Sequence, residues 1–201
     1  MIAIIDYGMG NLRSVQKAFQ TLDISAEIIN APSKLREASH VVLPGVGAFY
    51  DAITGLERAG FINPLLRFLE SGKPFLGICL GLQMLFTESN EGGMNRGLNI
   101  IPGKVDRFPN TVKVPQIGWN QIQQKKPGNP LLSGIPDNAF VYFVHSYYVI
   151  PENETVVAAT TEYGFTFTSM VWKENLFATQ FHPEKSQKIG LQMLANFAKL
   201  K

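Results

Sequence analysis

Cysteine is nearly absent: Cys79 is the only one in 201 residues. An intrachain disulfide therefore cannot form, and a cysteine-based metal cluster is excluded. No apolar run approaches the roughly 18 residues of a membrane span. The opening residues lack a charged segment followed by a cleavable apolar core, so the expected location is cytoplasmic. Basic residues form no stripe interleaved with aromatics, so nucleic acid is not an expected partner. A net charge of +2 favours no electrostatic partner. G-x-S-x-G does not occur, which removes serine hydrolases of the elbow type, and neither does a Gly-Lys-Ser/Thr phosphate loop. Internal repeats and low-complexity segments are missing too. Apolar residues make up 45% and charged ones 17%, a globular composition, and the length suits one domain over residues 1–201.

The first half alternates strands with helices. Met1–Asp6 reads as a buried strand. Asn11 is a candidate cap for a helix with Leu12, Val15, Ala18, Phe19 and Leu22 on one face. Ser25–Asn30 and His40–Pro44 read as strands two and three, Ala48–Ala59 and Ile62–Ser71 as helices. Pro74–Ile78 is the next strand and Leu80–Glu88 the next helix. After Gly103 extended segments dominate: Lys104–Phe108, Pro115–Gln123, Ala139–Ile150, Thr155–Thr161, Phe165–Lys173 and Leu176–Phe181. A last helix spans about Lys185 to Leu200. The expected fold is α/β: a doubly wound, mostly parallel sheet with helices on both faces and a smaller antiparallel β element in the second half.

Cys79 stands between Gly77 and Gly81, where an apolar strand meets a helix. That is the pattern of a nucleophile elbow, whose sharp turn leaves no room for side chains two residues to either side. The helix N-terminus favours thiolate, and the N–H of Leu80 becomes available to an oxyanion. The competing reading is a small buried core cysteine; the paired glycines favour the elbow. A thiolate needs a base, and there are three histidines. His40 opens a strand and reads as structural, and His145 in FVHSYYV as a satisfied, half-buried histidine. His182 in QFHPEKS follows an apolar strand and precedes the last helix, with Pro183 keeping it out of the helical region. Glu184 is placed to orient its imidazole, or serves as a helix-start acid, or both. Cys79 and His182 both fall at carboxyl ends of strands, where sites of such folds lie. Gly45, Val46 and Gly47 follow strand three; alone they read as a tight turn, and beside the other two motifs as an oxyanion strand.

These residues together resemble the class I (triad) glutamine amidotransferases, and the likeness covers nearly the whole chain. IDYGMGNL (Ile5–Leu12), PGVGAF (Pro44–Phe49), VPQIGWN (Val114–Asn120), YFVHSYY (Tyr142–Tyr148) and QFHPEKS (Gln180–Ser186) are similar to the glutaminase subunits of imidazole glycerol phosphate synthases. The resemblance implies a Cys79–His182–Glu184 triad that hydrolyses glutamine through a thioester, with no cofactor or metal. It also implies that Gln83 and Glu91 bind the amino-acid end of glutamine, with backbone contacts from Ser146 and Tyr147. Without it, Gln83 reads as an exposed helix residue and Glu91 as a solvated loop acid. Leu82 and Gly93 depart from the family pattern without removing a reactive group.

Nothing in the chain resembles a site for a phosphorylated acceptor; DYGMGNL has Arg13 where a dinucleotide fingerprint needs its third glycine. The resemblance instead implies a heterodimer with a cyclase subunit, a (β/α)8 barrel that takes ammonia to build the imidazole ring in histidine biosynthesis. Met9, Gly10, Asn11, Trp119, Tyr142 and Lys185 are the implied docking residues, although Trp119 also reads as core and Tyr142 as an ordinary strand residue. Three rivals stand beside this reading: the glutaminase of pyridoxal phosphate synthase, a free-standing cysteine hydrolase of γ-glutamyl conjugates, and a non-catalytic protein with an oxidation-sensing cysteine.

Overall fold

The computed structural model describes residues 1–201. Strands β1 (Ile2–Ile5), β2 (Ala26–Ile29), β3 (His40–Gly45), β4 (Phe75–Cys79) and β13 (Leu176–Thr179) lie side by side in the order β2-β1-β3-β4-β13, every neighbouring pair parallel. Parallel pairing requires crossovers, and the helices that supply them cover both faces. Helices α2 (Phe49–Arg58) and α3 (Ile62–Glu70) bury Ala52, Leu56, Leu65 and Phe68 against one face, with Ala3, Ile5 and Val41. Helices α1 (Leu12–Thr21) and α5 (Gln187–Ala198) bury Val15, Phe19, Met193 and Phe197 against the other, with Ile2, Ile4 and Val42. The alternation within β1 and β3 follows from the two-residue period of a strand. The doubly wound α/β expectation holds. Asn11 occupies the cap position of α1, but its side chain makes no capping bond.

The second half extends the sheet beyond β13 through β12 (Thr166–Lys173), β10 (Tyr147–Pro151), β7 (Ile101–Arg107), β5 (Phe86–Ser89) and the two-residue β6 (Asn95–Arg96). These join antiparallel except for β5 with β7. A side branch runs from β12 through β11 (Val157–Glu162) to the hairpin of β8 (Gln116–Gln124) and β9 (Ala139–His145).

Three expected segments differ. The helix expected over Leu80–Glu88 is a single turn, α4 (Leu80–Gln83), followed by β5. The carbonyls of Met84 and Leu85, which a longer helix would have used, accept instead from Leu98 and Ile100 of the returning chain. The single extended segment expected over Ala139–Ile150 breaks at Ser146: β9 pairs with β8, then the chain crosses to pair with β7 as β10. The last helix begins at Gln187 because Pro183–Lys185 forms a separate 3-10 turn.

The glycines beside Cys79 are needed for close approach. A Cβ on Gly81 would lie 1.9 Å from the carbonyl oxygen of Leu43 in β3, and one on Gly77 2.8 Å from the oxygen of Gly81. Gly81→Ala is expected to lower unfolding stability by about 3 kcal/mol or more, since backbone must move. Gly72→Ala, at φ +75° but with open space around it, should cost about 1–2 kcal/mol from strain alone. Urea midpoints compare the two, and equal losses would contradict the packing reason given for Gly81.

Candidate active site

Cys79 ends β4 with φ 56° and ψ −108°, a conformation that costs a non-glycine residue about 1–3 kcal/mol. The expected elbow is present, and the sulfur-bearing residue is 7% exposed. Because α4 is one turn long, the helix-dipole contribution expected from Leu80–Glu88 shrinks to that of a single turn. Parallel register then assembles the site. Gly45 pairs with Cys79 on one side, and Thr179 pairs with Ile78 on the other, so the chain leaving β13 runs beside the thiol.

His182 comes three residues beyond that pairing and is buried. Its Nδ1 meets Glu184 Oε1 at 2.8 Å, while Nε2 and Glu184 Oε2 have no hydrogen-bond partner. Burial works to lower the pKa of this imidazole. The sulfur of Cys79 and the carboxylate of Glu184 outweigh it and raise the value well above the ordinary one. Nε2 itself makes no hydrogen bond, so sulfur and imidazole are neighbours without a formed sulfur–nitrogen bond. The turn carrying His182 is pinned from outside: its N–H donates to Tyr142 O at 2.9 Å. Ser186 Oγ donates to His182 O at 2.7 Å and accepts from Tyr142 N at 3.0 Å.

Between these groups lies a cavity of about 450 Å³. Cys79, Leu80, Gln83, Glu91, Ser146, Tyr147, His182 and Lys185 line it, with Val46 and Gly47 at one edge and Pro115, Val144 and His145 completing the wall. A larger hollow of about 700 Å³ near Tyr148, Phe165 and Thr168 holds no cysteine or histidine, so of the two only the smaller brings a thiol and an imidazole together. No three His, Cys, Asp or Glu side chains gather as a metal-ligand set.

Gln83 is buried, not the exposed residue the composition of its helix suggests. Its Nε2 donates to Tyr147 O at 3.0 Å and to Gln180 Oε1 at 3.1 Å, which leaves Oε1 as an acceptor. Glu91 Oε2 accepts from Phe49 N at 2.8 Å, tying its loop to the start of α2. His145 is more deeply buried than expected. Its Nδ1 contacts Tyr147 O at 2.8 Å and its Nε2 the Gln116 carboxamide at 3.0 Å. His40 is structural, with Nε2 3.1 Å from Leu200 O.

Gly45 is buried, and a Cβ there would lie 2.8 Å from both Leu80 Cβ and the Tyr7 hydroxyl. Gly47 has φ +97°, and a Cβ on it would come within 2.6 Å of Met9 Cε. The loop carrying Met9, Gly10 and Asn11 thus packs on the Pro44–Gly47 segment, and the Tyr7 hydroxyl donates to Pro44 O at 3.0 Å. Trp119 and Tyr142 meet edge to face with ring centroids 6.0 Å apart, and Lys185 Nζ sits 5.8 Å from the Tyr142 ring centre. Sequence reasoning did not single out Tyr7, Gln116, Gln180 or Ser186. Gln180 and Ser186 lie inside the QFHPEKS motif, and that adjacency was their available signal.

Residues 3–200 match the family described as glutamine amidotransferase class-I. The chain is 57% identical to imidazole glycerol phosphate synthase subunit HisH of Syntrophotalea carbinolica, over 98% of each chain. It is 52% identical to the subunit of the same name from Geobacter sulfurreducens, over 100% of this chain and 99% of that one. Among solved structures, PurLQS from Thermotoga maritima superimposes with a TM-score of 0.79 at 15% identity, covering 98% of this chain and 96% of that one, and supports the fold.

Burial is the main cause holding the His145 imidazole down at about 4, with His182 adding to it and the Tyr147 carbonyl opposing. A base whose folded pKa lies below its unfolded value of about 6.5 binds more protons unfolded, so stability falls with acidification between pH 6.5 and about 4. His145 alone accounts for about 3 kcal/mol of that loss. Urea midpoints measured across this window should show a shallower acid loss in His145→Gln than in the parent.

Proposed function

The chain belongs to the class-I glutamine amidotransferases, and from that premise we propose that it hydrolyses glutamine to glutamate and ammonia as the glutaminase subunit of an imidazole glycerol phosphate synthase. The observation that carries this reading is the pairing of a strained Cys79 with the His182–Glu184 pair across one cavity, at the ends of adjacent parallel strands. The whole chain, residues 1–201, acts as one amidotransferase domain.

In the proposed reaction the Cys79 proton passes to His182 Nε2 and the sulfur attacks the side-chain amide carbon of glutamine. Backbone N–H groups of the Gly45–Val46–Gly47 segment and of Leu80 stabilise the oxyanion. His182 then protonates the leaving nitrogen, ammonia departs, and a glutamyl thioester remains. Water, deprotonated by His182, releases glutamate and the thiol. Glu184 holds the imidazole by its Nδ1–H throughout. Gln83 Oε1 and Glu91 accept from the substrate ammonium, and the Ser146–Tyr147 backbone borders the same end.

Ammonia freed into neutral water becomes ammonium and loses its nucleophilic lone pair, so a closed delivery route is favoured. The named relatives are subunits of a synthase, which supports a cyclase partner with a (β/α)8 barrel that closes the imidazole ring. Docking is assigned to Met9, Gly10, Asn11, Trp119, Tyr142 and Lys185. In support, the outer face of the β8–β9 hairpin exposes Ile117 (63%), Trp119 (45%) and Phe140 (54%), an apolar patch suited to a protein contact. Val46 is also exposed, and the Met9 loop touches the segment that carries it. A docked partner therefore acts on the oxyanion segment through that loop.

Glutaminase turnover should be slow for the isolated chain, rise with the cyclase, and rise further with the cyclase and its nucleotide ligand. Cys79→Ala should lower the activated rate by about a thousandfold or more. A full rate from the isolated chain would contradict the partner requirement; inertness under all three conditions would remove the functional reading.

A further inference from the structure

Gln180 is fully buried and has no part in the chemistry described above. It follows β13 directly, and the register that pairs Thr179 with Ile78 carries it to the side of Cys79. Its Nε2 lies 3.7 Å from Cys79 Sγ, and its Oε1 accepts from Gln83 Nε2 at 3.1 Å. The residues flanking the same stretch, Ala178 and Phe181, are apolar and buried. A buried carboxamide is costly unless partnered, and the partners here are the thiol and the side chain nearest the amino-acid end of the cavity.

The other polar contact to the sulfur is of opposite character. Cys79 Sγ lies 3.9 Å from Val144 O, a carbonyl that accepts from a thiol S–H but repels a thiolate. Gln180 is thus the side-chain donor facing the sulfur. We propose that Gln180 is a positioning residue for this reaction: its N–H holds the ionised sulfur toward His182, and its bond to Gln83 couples the nucleophile to occupation of the amino-acid subsite. A substrate ammonium bound to Gln83 Oε1 polarises the Gln83 N–H toward Gln180 Oε1, which strengthens the N–H···S contact in turn. This deepens the proposed glutaminase reading and rests on Cys79 as its nucleophile.

The test uses Gln180→Met, which keeps length and burial but removes the donor, and Gln180→Glu, which donates only when protonated. The first readout is the pH dependence of iodoacetamide alkylation of Cys79 in the chain alone, which needs no turnover. The second is kcat and KM for glutamine with the cyclase and its ligand. In Gln180→Met the alkylation midpoint should move up by about one pH unit, and kcat should fall roughly ten- to hundredfold with KM changed less than about threefold. Gln180→Glu should recover relative to the parent as pH falls. If Gln180→Met does not fold, as shown by loss of near-ultraviolet dichroism, that recovery decides the matter, and a pH-independent ratio overturns the proposal. An unmoved alkylation midpoint with unchanged kcat also overturns it. Should the parent lack glutaminase activity with its cyclase, the functional reading fails, while the alkylation shift still decides whether Gln180 governs the sulfur.

Discussion

The site depends on one constraint, the parallel register that locks β3, β4 and β13 together. Pairing Gly45 with Cys79 and Thr179 with Ile78 places three distant stretches of chain on two successive rungs at the carboxyl edge of the sheet. One brings the glycine-rich segment, one the thiol, and one the residues leading to His182. Hydrogen bonds fix register along the whole strand, and both faces are buried, so a one-residue slip would swap every core side chain to the opposite face, into packing built for other residues. The geometry of the cavity is therefore held by the cores and not by the site itself. That allows Cys79 to remain in a strained conformation, because the surrounding structure leaves the backbone no alternative.

Around these rungs the close contacts of backbone decide which residues are tolerated. Gly81 packs on Leu43 O, Gly77 on Gly81, and Gly190 of α5 on Pro183 O, where a Cβ would stand at 1.8 Å. The last contact matters because Pro183 follows the proposed base. Helix α5 presses directly on the turn that presents His182, and Ser186, at its start, bonds to His182 O and to Tyr142 N. The imidazole is thus positioned by helix packing on one side and by β9 on the other, with Glu184 correcting only its rotation.

Much of this was legible in the sequence. The alternation of strands and helices up to Ile78, the elbow glycines and the HPE triplet all act through local sterics or short spacing, and the structure has them where expected. What was misread depends on long-range pairing. Leu80–Glu88 carries a helix-compatible pattern, yet the return of residues 98–100 captures the carbonyls of Met84 and Leu85 and turns the segment into β5. Ser146 gives no turn signal, but β9 and β10 belong to different pairings and the chain must break between them. The burial of Gln83 could not be foreseen either, since it follows from Tyr147 and Gln180, which lie 64 and 97 residues away. Gln180 was hidden for a different reason: adjacent to a histidine motif, a glutamine shows no chemistry until its neighbour across the sheet is known.

Tyr142 joins the outer surface to the proposed base by backbone as well as by side chain. Its ring meets Trp119 and lies under the Lys185 ammonium. Its carbonyl accepts from His182 N, and its N–H donates to Ser186, which bonds back to His182 O. A force on the exposed face of the β8–β9 hairpin therefore reaches the His182 backbone directly through one hydrogen bond, and by a second route through the Ser186 hydroxyl. On the opposite side, the Met9 loop touches Gly47 while Tyr7 holds Pro44 O. Gly45 is fixed by its pairing with Cys79, but Val46 and Gly47 lie exposed beyond the end of β3, whereas the histidine turn is clamped at both ends. Under the proposed function, a partner seated across both surfaces would therefore reorganise the oxyanion side against a base that stays in place. Activation then needs to move only the short segment whose glycine makes that motion cheap.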